Sequence, residues 1–388
     1  MIREGSMRIE FDALPLVSEK MTGIGWCEAG QTTAIARLHP ENTYAYNFFS
    51  GRDNEAKLRR IAPFAGDNIE VRMAKFSGYM YRAASTFVPV PYSRFFGKKA
   101  DITHFFNYIV PPHVHGKTVV TVHDMVYKAF PETVRGRTKI MLNTGLKQSM
   151  KRADIIVTDS EFSKSEIVKY FPQHEGKIRV VPCGVDTEKF RPCTEPERIP
   201  SVKGSLGIEG DYFLYLGTLE PRKNLERLIT AYKALVNKLG ENSPKLVLAG
   251  GKGWLYDGIF ARVERLGLQD KVIFTQYIPS EDMNPLMCGA LAFVFPSLYE
   301  GFGMPPLEAM ACGVPVLTSG EASLPEVTGD CAVICDAYSP KSIANGLYRL
   351  YADEKLRSDL SARGLERAKL FTWERSAELL YSVYEELI

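Results

Sequence analysis

The strongest constraint on the fold of this 388-residue chain is a repeated alternation of short apolar segments with longer amphipathic ones. Several short segments, such as those at 246–248 and 293–295, are apolar at every position. Strands that are apolar on both faces are typical of parallel sheets with helices on each side. The alternation recurs in both halves of the chain and therefore predicts an α/β fold with two doubly wound domains.

The individual elements follow from the same periodicity. The predicted strands are residues 8–12, 44–49, 119–122, 155–158 and 178–182 in the first half, and 212–216, 245–249, 272–275, 292–295 and 314–317 in the second. Apolar side chains recur at helical spacing over residues 224–239. Ser163 and Glu166 have the spacing of a capping box that opens a helix over 163–170. Residues 191–204 contain three prolines without periodicity and are the predicted linker.

Charge is distributed unevenly between the two halves, although the formal net charge is only +2. Residues 1–200 carry 29 Lys and Arg against 22 Asp and Glu, which gives +7, and residues 201–388 carry 19 against 24, which gives −5. This difference is expected of two domains that meet different partners. A hydrophobic fraction of 45% excludes an intrinsically disordered chain.

The seven cysteines are scattered, and the closest pair, Cys331 and Cys335, lacks CxxC spacing. This pattern predicts reduced thiols, without a zinc knuckle or a disulfide framework. The N-terminal residues lack the apolar core of a signal peptide, and no apolar run is long enough to span a bilayer. We therefore expect a cytoplasmic protein.

The densest group of candidate functional residues lies at 296–311, where a buried strand leads through a Gly-rich turn into a helix. Amides of Gly301–Gly303 and of the helix N-terminus are able to bind an anion. Glu300 and Glu308 flank this turn and are able to accept hydrogen bonds from hydroxyl groups, as expected for a phosphorylated sugar ligand. The alternative is that Glu308 is a solvated helix residue and that the glycines only shape the turn.

A second group follows the first strand of the second half. Gly217 permits close approach of a ligand to the backbone, and Arg222 and Lys223 precede a helix whose dipole disfavours cations at that end. A bound diphosphate would offset this cost, with Arg as a bidentate partner and Lys as a point charge. The alternative is a surface ion pair with Glu220.

Two weaker signals lie in the first half. Gly23 and Gly25 resemble a dinucleotide-binding loop without its third glycine, and the alternative is an ordinary turn that opens a helix. His123 ends a buried strand, where active-site residues of α/β proteins lie. The alternative is that His123 has a structural role and that hydrogen bonds within the protein satisfy its ring nitrogens.

The stretch that begins at Val71 and ends at Ala100 contains six basic residues and no acidic one, with seven interleaved aromatic residues. Such a surface is able to contact anionic lipid headgroups. No nucleic-acid-binding motif accompanies it, so nucleic acid is not an expected partner. The alternative is a core-packing segment with its basic face in water.

Taken together, these motifs resemble those of the retaining glycosyltransferases of family 4, which have the GT-B fold. The resemblance runs from Gly23 to the closing Phe371-Thr372-Trp373-Glu374 segment and so covers nearly the whole chain. The Gly-Phe-Gly-Met-Pro sequence between Glu300 and Glu308 is its most specific part.

The resemblance implies two Rossmann-like domains that face each other across a cleft. Residues 1–195 would bind the acceptor and residues 205–370 a nucleotide-sugar donor. The C-terminal segment, residues 371–388, would form a helix that crosses back to the N-terminal domain.

The family's site roles carry over by position. Glu300 would contact the hydroxyls of the transferred sugar, Glu308 the ribose, Arg222 and Lys223 the diphosphate, and His123 the sugar C6 hydroxyl. The remaining donor contacts would come from Gly23, Gly25, Gly217, Thr218, Tyr277, Ile278, Gly301, Phe302, Gly303 and Met304. Thr218 departs from the pattern, because many relatives have an arginine there.

The implied activity is transfer of a hexose, with retention of configuration, from a nucleotide-diphosphate sugar to a hydroxyl of a glycan or lipid-linked acceptor in cell-surface polysaccharide synthesis. The sequence variant at 217–224 favours mannose and GDP-mannose, with a UDP-sugar next. No Asp-x-Asp motif is present, so neither a metal nor another cofactor is expected. The enzyme would lie at the inner face of the plasma membrane. A nucleotide-sugar epimerase, a non-catalytic sugar-nucleotide-binding protein and a glycoside hydrolase are the alternatives.

Overall fold

A computed structural model of the chain describes residues 6–78, 80–81, 90–96, 99–251, 253–276 and 278–388. The chain forms two units, the first made of Met1–Gly184 together with Trp373–Ile388, and the second of Val185–Thr372. Among the described residues, no helix is long and apolar enough to cross a membrane.

The first unit is built on a seven-stranded parallel sheet with the strand order β3-β2-β1-β4-β5-β6-β7. Its strands are β1 (Arg8–Asp12), β2 (Thr43–Phe49), β3 (Ile69–Ala74), β4 (Ile102–Phe105), β5 (Lys117–Thr121), β6 (Ile155–Thr158) and β7 (Ile178–Val180). Its described helices include α1 (Gly23–Leu38), α2 (Asn54–Ile61), α3 (Val126–Ala129), α4 (Gly136–Arg152) and α5 (Glu161–Tyr170). The strand order reverses between β1 and β4.

The second unit is built on a six-stranded parallel sheet with the order β10-β9-β8-β11-β12-β13. Its strands are β8 (Tyr212–Leu216), β9 (Lys245–Ala249), β10 (Val272–Gln276), β11 (Ala292–Phe295), β12 (Val316–Ser319) and β13 (Ala332–Cys335). Its helices include α6 (Arg198–Ser205), α7 (Leu225–Leu239), α8 (Asp257–Arg265), α9 (Ser280–Cys288), α10 (Met304–Ala311), α11 (Leu324–Thr328), α12 (Pro340–Ala352) and α13 (Glu354–Ala368). Here the order reverses between β8 and β11, which is the arrangement of a doubly wound nucleotide-binding sheet.

The predicted α/β class with two doubly wound sheets is confirmed, but three strands were missed. These are β3, β4 and β13. Polar residues interrupt β3, where Glu70 and Arg72 alternate with apolar positions, and β4 is only four residues long. The predicted strand at 314–317 is displaced to Val316–Ser319, where it pairs with β13 over four residues.

The linker predicted at 191–204 is wrong, because α6 (Arg198–Ser205) begins within it. Pro200 is tolerated there because the first turn of a helix has no intrahelical acceptors for its amides. Val202 is buried, and Arg198 donates to Asp282 of α9 at 3.1 Å, so this segment belongs to the second unit. The chain passes from the first unit to the second at Gly184 and Val185.

The predicted cap at Ser163 is also displaced. Helix α5 begins at Glu161, and the Ser160 hydroxyl accepts the Ser163 amide at 3.0 Å, so Ser160 is the N-cap. The helix predicted over 224–239 is present as α7 and buries its apolar face.

The last helix, α14 (Trp373–Glu385), is part of the core of the first unit. It lies against α1, where a side chain at Gly30 would meet the Trp373 ring at 2.2 Å. Gln31 of α1 donates to Ser376 at 3.0 Å, and the Tyr384 hydroxyl lies 2.7 Å from His104 Nδ1. The absence of a side chain at Gly30 therefore allows the C-terminal helix to pack closely.

The segment from Val71 to Ala100 contributes both to the core and to the surface. Tyr81, Tyr92 and Phe96 are buried in the core of the first unit. Lys75, Arg94 and Lys99 are exposed. Four further members of the predicted basic and aromatic run lie outside the described residues, namely Tyr79, Arg82, Phe87 and Lys98.

Candidate active site

The candidate site of the second unit lies at the carboxyl ends of β8 and β11. These neighbouring strands flank the reversal of strand order, and ligands of doubly wound sheets bind in the crevice at this position. Arg222 and Lys223 lie in a short 3₁₀ turn after β8, and Glu300 lies in the loop after β11. The topology thus brings together side chains that are 77 and 78 positions apart in sequence.

Glu300 is the centre of a buried ion-pair cluster. One of its carboxylate oxygens accepts from Arg222 at 2.7 Å, and the other accepts from Lys223 at 2.6 Å. Arg222 also donates to Glu220 at 2.6 Å, which adds a second carboxylate to the cluster. The four side chains therefore form a group with two positive and two negative charges, which we call the Glu300 cluster.

Backbone and amide contacts hold the two loops together around this cluster. Arg222 donates to the Tyr299 carbonyl at 2.7 Å, and the Leu298 amide donates to the Arg222 carbonyl at 2.9 Å. The Asn224 side chain donates to the Pro296 and Ala337 carbonyls at 3.0 and 2.7 Å. The cluster is thus positioned by the backbone after three strands, β8, β11 and β13.

Burial and mutual charge set the ionisation of the cluster. Burial by itself favours the neutral form of Glu300, but Arg222 and Lys223 outweigh it and lower the pKa of this carboxyl group. Burial and the neighbouring Arg222 lower the pKa of the Lys223 ammonium, whereas Glu300 opposes that shift. Each of these groups is held in its charged form mainly by its partners.

The Gly-rich turn between Glu300 and α10 has a backbone that requires glycine. Gly303 has φ of 109° and precedes Met304, the first residue of α10. A Cβ at Gly303 would lie 2.8 Å from Leu324 Cδ2. The Ser323 hydroxyl contacts the Glu300 and Phe302 carbonyls at 2.9 and 2.7 Å. Gly301 and Phe302 are buried within this turn.

Glu308 lies one turn into α10 and is half-buried. Burial raises its pKa to about 7, which Asp186 reinforces and Lys189 opposes. The carboxyl group therefore changes its charge near neutral pH, unlike Glu300.

The remaining donor-binding residues predicted in the second unit have different environments. Gly217 has φ of 155° and its carbonyl would be 2.0 Å from a Cβ at Gly250, so the loops after β8 and β9 are in close contact. Thr218 is exposed. Ile278 is 2% exposed, which leaves only its backbone for a ligand. Tyr277 lies outside the described residues.

In the first unit, Gly23 and Gly25 lie within the first turn of α1. A Cβ at Gly23 would meet no atom within 4 Å, whereas one at Gly25 would lie 2.8 Å from Met21 Cγ and 3.2 Å from the Pro15 carbonyl oxygen. Close packing within the unit thus explains why residue 25 is a glycine, but it does not explain the glycine at residue 23.

His123 is engaged on both ring nitrogens within the first unit. Its Nδ1 lies 2.7 Å from an Asp159 carboxylate oxygen, and its Nε2 lies 2.8 Å from the Phe106 carbonyl oxygen. Burial disfavours the imidazolium, but Asp159 outweighs this and raises the pKa of His123 to about 9. Both nitrogens are donors at neutral pH, so contact with a sugar hydroxyl would require one of these bonds to be exchanged.

Two partners of the predicted site residues were not assigned a role from the sequence. Asp159 follows β6, the strand beside β5, and this position at the carboxyl end of a buried strand could have indicated a contact with His123. Glu220 was considered only as a surface partner of Arg222, whereas it is 2% exposed. Arg222 therefore pairs with Glu220 and with Glu300 at the same time, so the ion pair considered as an alternative is part of the Glu300 cluster.

Two family models match the chain. The model described as "Glycosyltransferase Family 4" matches residues 35–189, and the model described as "Glycosyl transferases group 1" matches residues 202–367. The first match covers most of the first unit and extends to residue 189 of the second, and the second match lies within the second unit.

Among curated proteins, O-antigen chain mannosyltransferase B of Escherichia coli is 36% identical over 291 residues, which cover 74% of this chain and 75% of that protein. The serotype-specific mannosyltransferase WbdA of Escherichia coli is 30% identical over 278 residues, which cover 71% of this chain. The matched region spans about a third of WbdA, 34% of its length.

Solved structures show the same fold at low identity. Anabaena Alr3699/HepE in complex with UDP-glucose matches with a TM-score of 0.75 and 16% identity, over 98% of this chain and all of that one. Sucrose-phosphate synthase from Thermosynechococcus elongatus matches with a TM-score of 0.73 and 20% identity, over 98% and 99% of the two chains. The two sheets and their strand orders are therefore those of the GT-B fold.

Proposed function

The chain belongs to glycosyltransferase family 4, and from this premise we propose that it transfers a hexosyl group from a nucleotide-diphosphate sugar to a hydroxyl of a glycan or lipid-linked acceptor in polysaccharide synthesis. The observation that carries the proposal is the Glu300 cluster at the carboxyl ends of β8 and β11. It combines a carboxylate that is able to bind sugar hydroxyls with two cations that are able to bind a diphosphate.

In the proposed reaction the cluster exchanges partners when the donor binds. Arg222 and Lys223 stabilise the negative charge that develops on the departing nucleoside diphosphate. Glu300 then accepts hydrogen bonds from hydroxyls of the transferred sugar. Because the cluster is neutral before the donor arrives, each cation already has a charged partner and stays oriented.

The carboxyl group of Glu308 is proposed to bind the ribose hydroxyls. It lies one turn into α10, which directly follows the Gly301–Gly303 turn, and amides at a helix N-terminus are able to bind an anion. The sugar passes through an oxocarbenium-like state, and the acceptor hydroxyl attacks from the face that the diphosphate leaves, so the configuration is retained. A phosphate oxygen of the leaving group accepts the hydroxyl proton.

We favour mannose as the transferred sugar and GDP-mannose as the donor. The support is the likeness to the Escherichia coli relatives, which are named as an O-antigen chain mannosyltransferase and a serotype-specific mannosyltransferase. A UDP-sugar is the second candidate, since HepE was solved with UDP-glucose.

The donor is tested with a panel of GDP- and UDP-sugars, scored by thermal shift and by acceptor-dependent nucleotide release. GDP-mannose is expected to stabilise the protein and to release GDP only with an acceptor glycan present. Stabilisation by UDP-glucose alone would overturn the donor assignment. Conversion of the sugar without any acceptor would indicate an epimerase, and binding without turnover a non-catalytic protein. An anomeric assignment of the product by NMR tests retention.

We also propose that the transfer proceeds without a divalent cation, with Arg222 and Lys223 in its place. Chelation with EDTA, followed by removal of the chelator, is expected to leave the rate of nucleotide release unchanged. Loss of activity that Mg²⁺ or Mn²⁺ restores would contradict this proposal.

Peripheral contact with an anionic membrane is proposed for the exposed basic residues Lys75, Arg94 and Lys99, of which Lys75 is next to the exposed Phe76 in sequence. Such contact would place the enzyme at the inner face of the plasma membrane, where a lipid-linked acceptor would lie. Flotation with phosphatidylglycerol vesicles at low salt is expected to recover the wild-type protein. The triple change Lys75→Glu, Arg94→Glu and Lys99→Glu is expected to remove it, and equal recovery of both proteins would contradict the proposal.

A further inference from the structure

Two thiols that have no part in the proposed transfer meet in the interior of the first unit. Cys27 is the fifth residue of α1, and Cys183 follows β7, next to Gly184 where the first unit ends and the second begins. Their sulfur atoms are 3.3 Å apart, and the two residues are 1% and 3% exposed. All seven cysteines of the chain are free thiols in the structure.

Cys27 lies beside a buried ion pair as well as beside Cys183. Its sulfur, a ring nitrogen of His123 and a carboxylate oxygen of Asp159 lie within 4.8 Å of one another. His123 and Asp159 are themselves paired at 2.7 Å. Cys27 is therefore the thiol of the pair that lies next to charged groups.

Cys183 is suited to a different role. Its thiol donates a hydrogen bond to the Cys27 sulfur. This hydrogen bond and burial raise the pKa of the Cys183 thiol well above its ordinary value, so Cys183 keeps its proton. The pair thus consists of two sulfur atoms in contact, of which Cys183 is the one that keeps its proton, so we assign the first attack to Cys27.

We propose that Cys27 and Cys183 form a reversible disulfide when the protein meets a hydroperoxide, with Cys27 as the attacking thiol and Cys183 as the resolving thiol. The Cys27 sulfur attacks a peroxide oxygen and loses its proton, the O–O bond breaks, and the oxygen that leaves takes up a proton in its place. Cys183 then attacks the sulfenic sulfur, loses its proton, and expels the hydroxyl as water. The two thiols supply two electrons to the peroxide, and a dithiol restores them.

The size of the oxidant is consistent with the burial of the pair. Hydrogen peroxide is only slightly larger than water, whereas bulky alkylating reagents need the core to open. We therefore expect oxidation of the folded protein to be faster at this pair than alkylation by N-ethylmaleimide.

The disulfide would alter the part of α1 that the proposed function uses. A disulfide brings the sulfur atoms to about 2.05 Å, so the thiols must approach by about 1.2 Å from their present contact. Gly25 is two residues from Cys27 and already packs against Met21 and Pro15, so movement of Cys27 shifts the glycine turn. This consequence rests on the proposed function and predicts slower transfer by the oxidised enzyme.

The cross-link is tested on the full chain without reference to activity. The protein is treated with hydrogen peroxide, alkylated under denaturing conditions, digested and mapped by mass spectrometry. The expected product is a disulfide-linked pair of peptides that contain Cys27 and Cys183. Its mass is two hydrogen atoms below the sum of the separate peptides, and dithiothreitol separates the pair.

The variants assign the two roles. Cys183→Ser is expected to leave a sulfenic acid at Cys27 that dimedone traps, and Cys27→Ser is expected to abolish both products. Cys331→Ser, at another buried thiol, is the matched control and keeps the cross-link.

Several outcomes would overturn the proposal. Full alkylation of all seven cysteines after peroxide treatment is one, and a cross-link at a different pair is another. A stoichiometric metal ion bound by Cys27, His123 and Asp159 in the purified protein, which protects the thiols from oxidation, is a third. Nucleotide release is then measured before and after oxidation, and an unchanged rate in a fully cross-linked sample would remove the functional consequence. A protein that forms the cross-link but shows no transfer in either state would instead contradict the proposed function.

Discussion

The two units each contain a buried charged group at the carboxyl edge of a parallel sheet, but the two groups are held in different ways. In the second unit, Arg222 and Lys223 are neutralised by Glu300 and Glu220, all of them on the loops after β8 and β11. In the first unit, His123 is held by Asp159 on one side and by a backbone carbonyl on the other.

This difference determines which group is able to respond to a ligand. Arg222 and Lys223 are able to exchange a carboxylate for another anionic partner, such as a diphosphate, and Arg222 has enough N–H donors to keep its bond to the Tyr299 carbonyl as it does so. An imidazolium fixed to a carbonyl oxygen loses a hydrogen bond when it turns to a ligand. We therefore expect the second unit to carry most of the charge stabilisation, whereas the His123 pair mainly supports the first unit.

The largest expected effect is on the cations of the Glu300 cluster. Lys223→Ala and Arg222→Ala are each expected to lower the rate of nucleotide release by about 10²- to 10³-fold, because each removes a charge that stabilises the leaving group. Glu300→Gln is expected to have a similar effect. The measurement is kcat/KM for the donor at saturating acceptor.

Lys233→Ala, at a lysine further along α7, is the control for these changes and is expected to retain the wild-type rate. A loss of less than threefold in all three cluster variants would contradict the role of the cluster. Glu220 positions Arg222 through a hydrogen bond. Glu220→Gln is therefore expected to lower kcat/KM less than Arg222→Ala does.

Much of this cluster could be predicted from the sequence, because its members follow segments that are apolar throughout. The strands at 8–12, 155–158, 212–216, 245–249 and 292–295 were predicted with the bounds that the structure has. Glu300, Arg222 and Lys223 were predicted from the loops that follow two of these strands. The pattern indicates which loops lie at the carboxyl edge of a sheet, since all strands of a doubly wound sheet point the same way.

The pairing of these residues could not be predicted, because it depends on strand order. Local periodicity gives no information about whether β11 lies beside β8, and the cluster exists only because these two strands are neighbours. The contact of Asp159 with His123 likewise depends on β6 lying beside β5, although the place of both residues after buried strands was a signal for it. Strand β3 was missed because its polar residues form ion pairs within the sheet, as Arg72 does with Glu10 at 2.7 Å.

The next effect is on the first unit, through Asp159→Asn. Because the pKa of His123 is raised from 6.5 to about 9, the pair contributes stability that is fully present below pH 6.5 and is lost as the pH rises through 9. We expect Asp159→Asn to lower the free energy of unfolding by about 2–3 kcal/mol at pH 6, with a much smaller difference at pH 10.

Urea denaturation at a series of pH values measures this difference. Glu378→Gln is the control, since its carboxylate contacts His39 at the surface, and it is expected to change the free energy of unfolding by less than about 0.5 kcal/mol. A pH-independent difference between wild type and Asp159→Asn would show that the His123 charge does not contribute to the stability of this unit.

A smaller effect is expected from the backbone of the second unit. Gly303→Ala places a Cβ on a residue with φ of 109° and 2.8 Å from Leu324 Cδ2, and is expected to cost about 1–3 kcal/mol of stability. Gly204→Ala is the matched control, because Gly204 lies inside α6 with no atom within 4 Å of its Cβ position. It is expected to stabilise by about 0.5–1 kcal/mol. The same sign for both variants would contradict the argument from the strained turn.

The smallest expected effect separates the two glutamates of the second unit by their ionisation. Glu300 has a lowered pKa and stays charged near neutral pH, whereas the pKa of Glu308 is about 7. Below pH 7, protonated Glu308 offers fewer acceptors to the ribose hydroxyls, so KM for the donor is expected to rise several-fold between pH 8 and pH 6. Glu308→Gln is expected to have a raised KM at both pH values and to lose this pH dependence, because its amide does not titrate.

The values of kcat and KM are measured separately, since a change in kcat alone would point to the Glu300 cluster. If the pH dependence of KM persisted in Glu308→Gln, another group would set it, and the contrast between a fixed carboxylate at 300 and a titrating one at 308 would no longer explain donor binding.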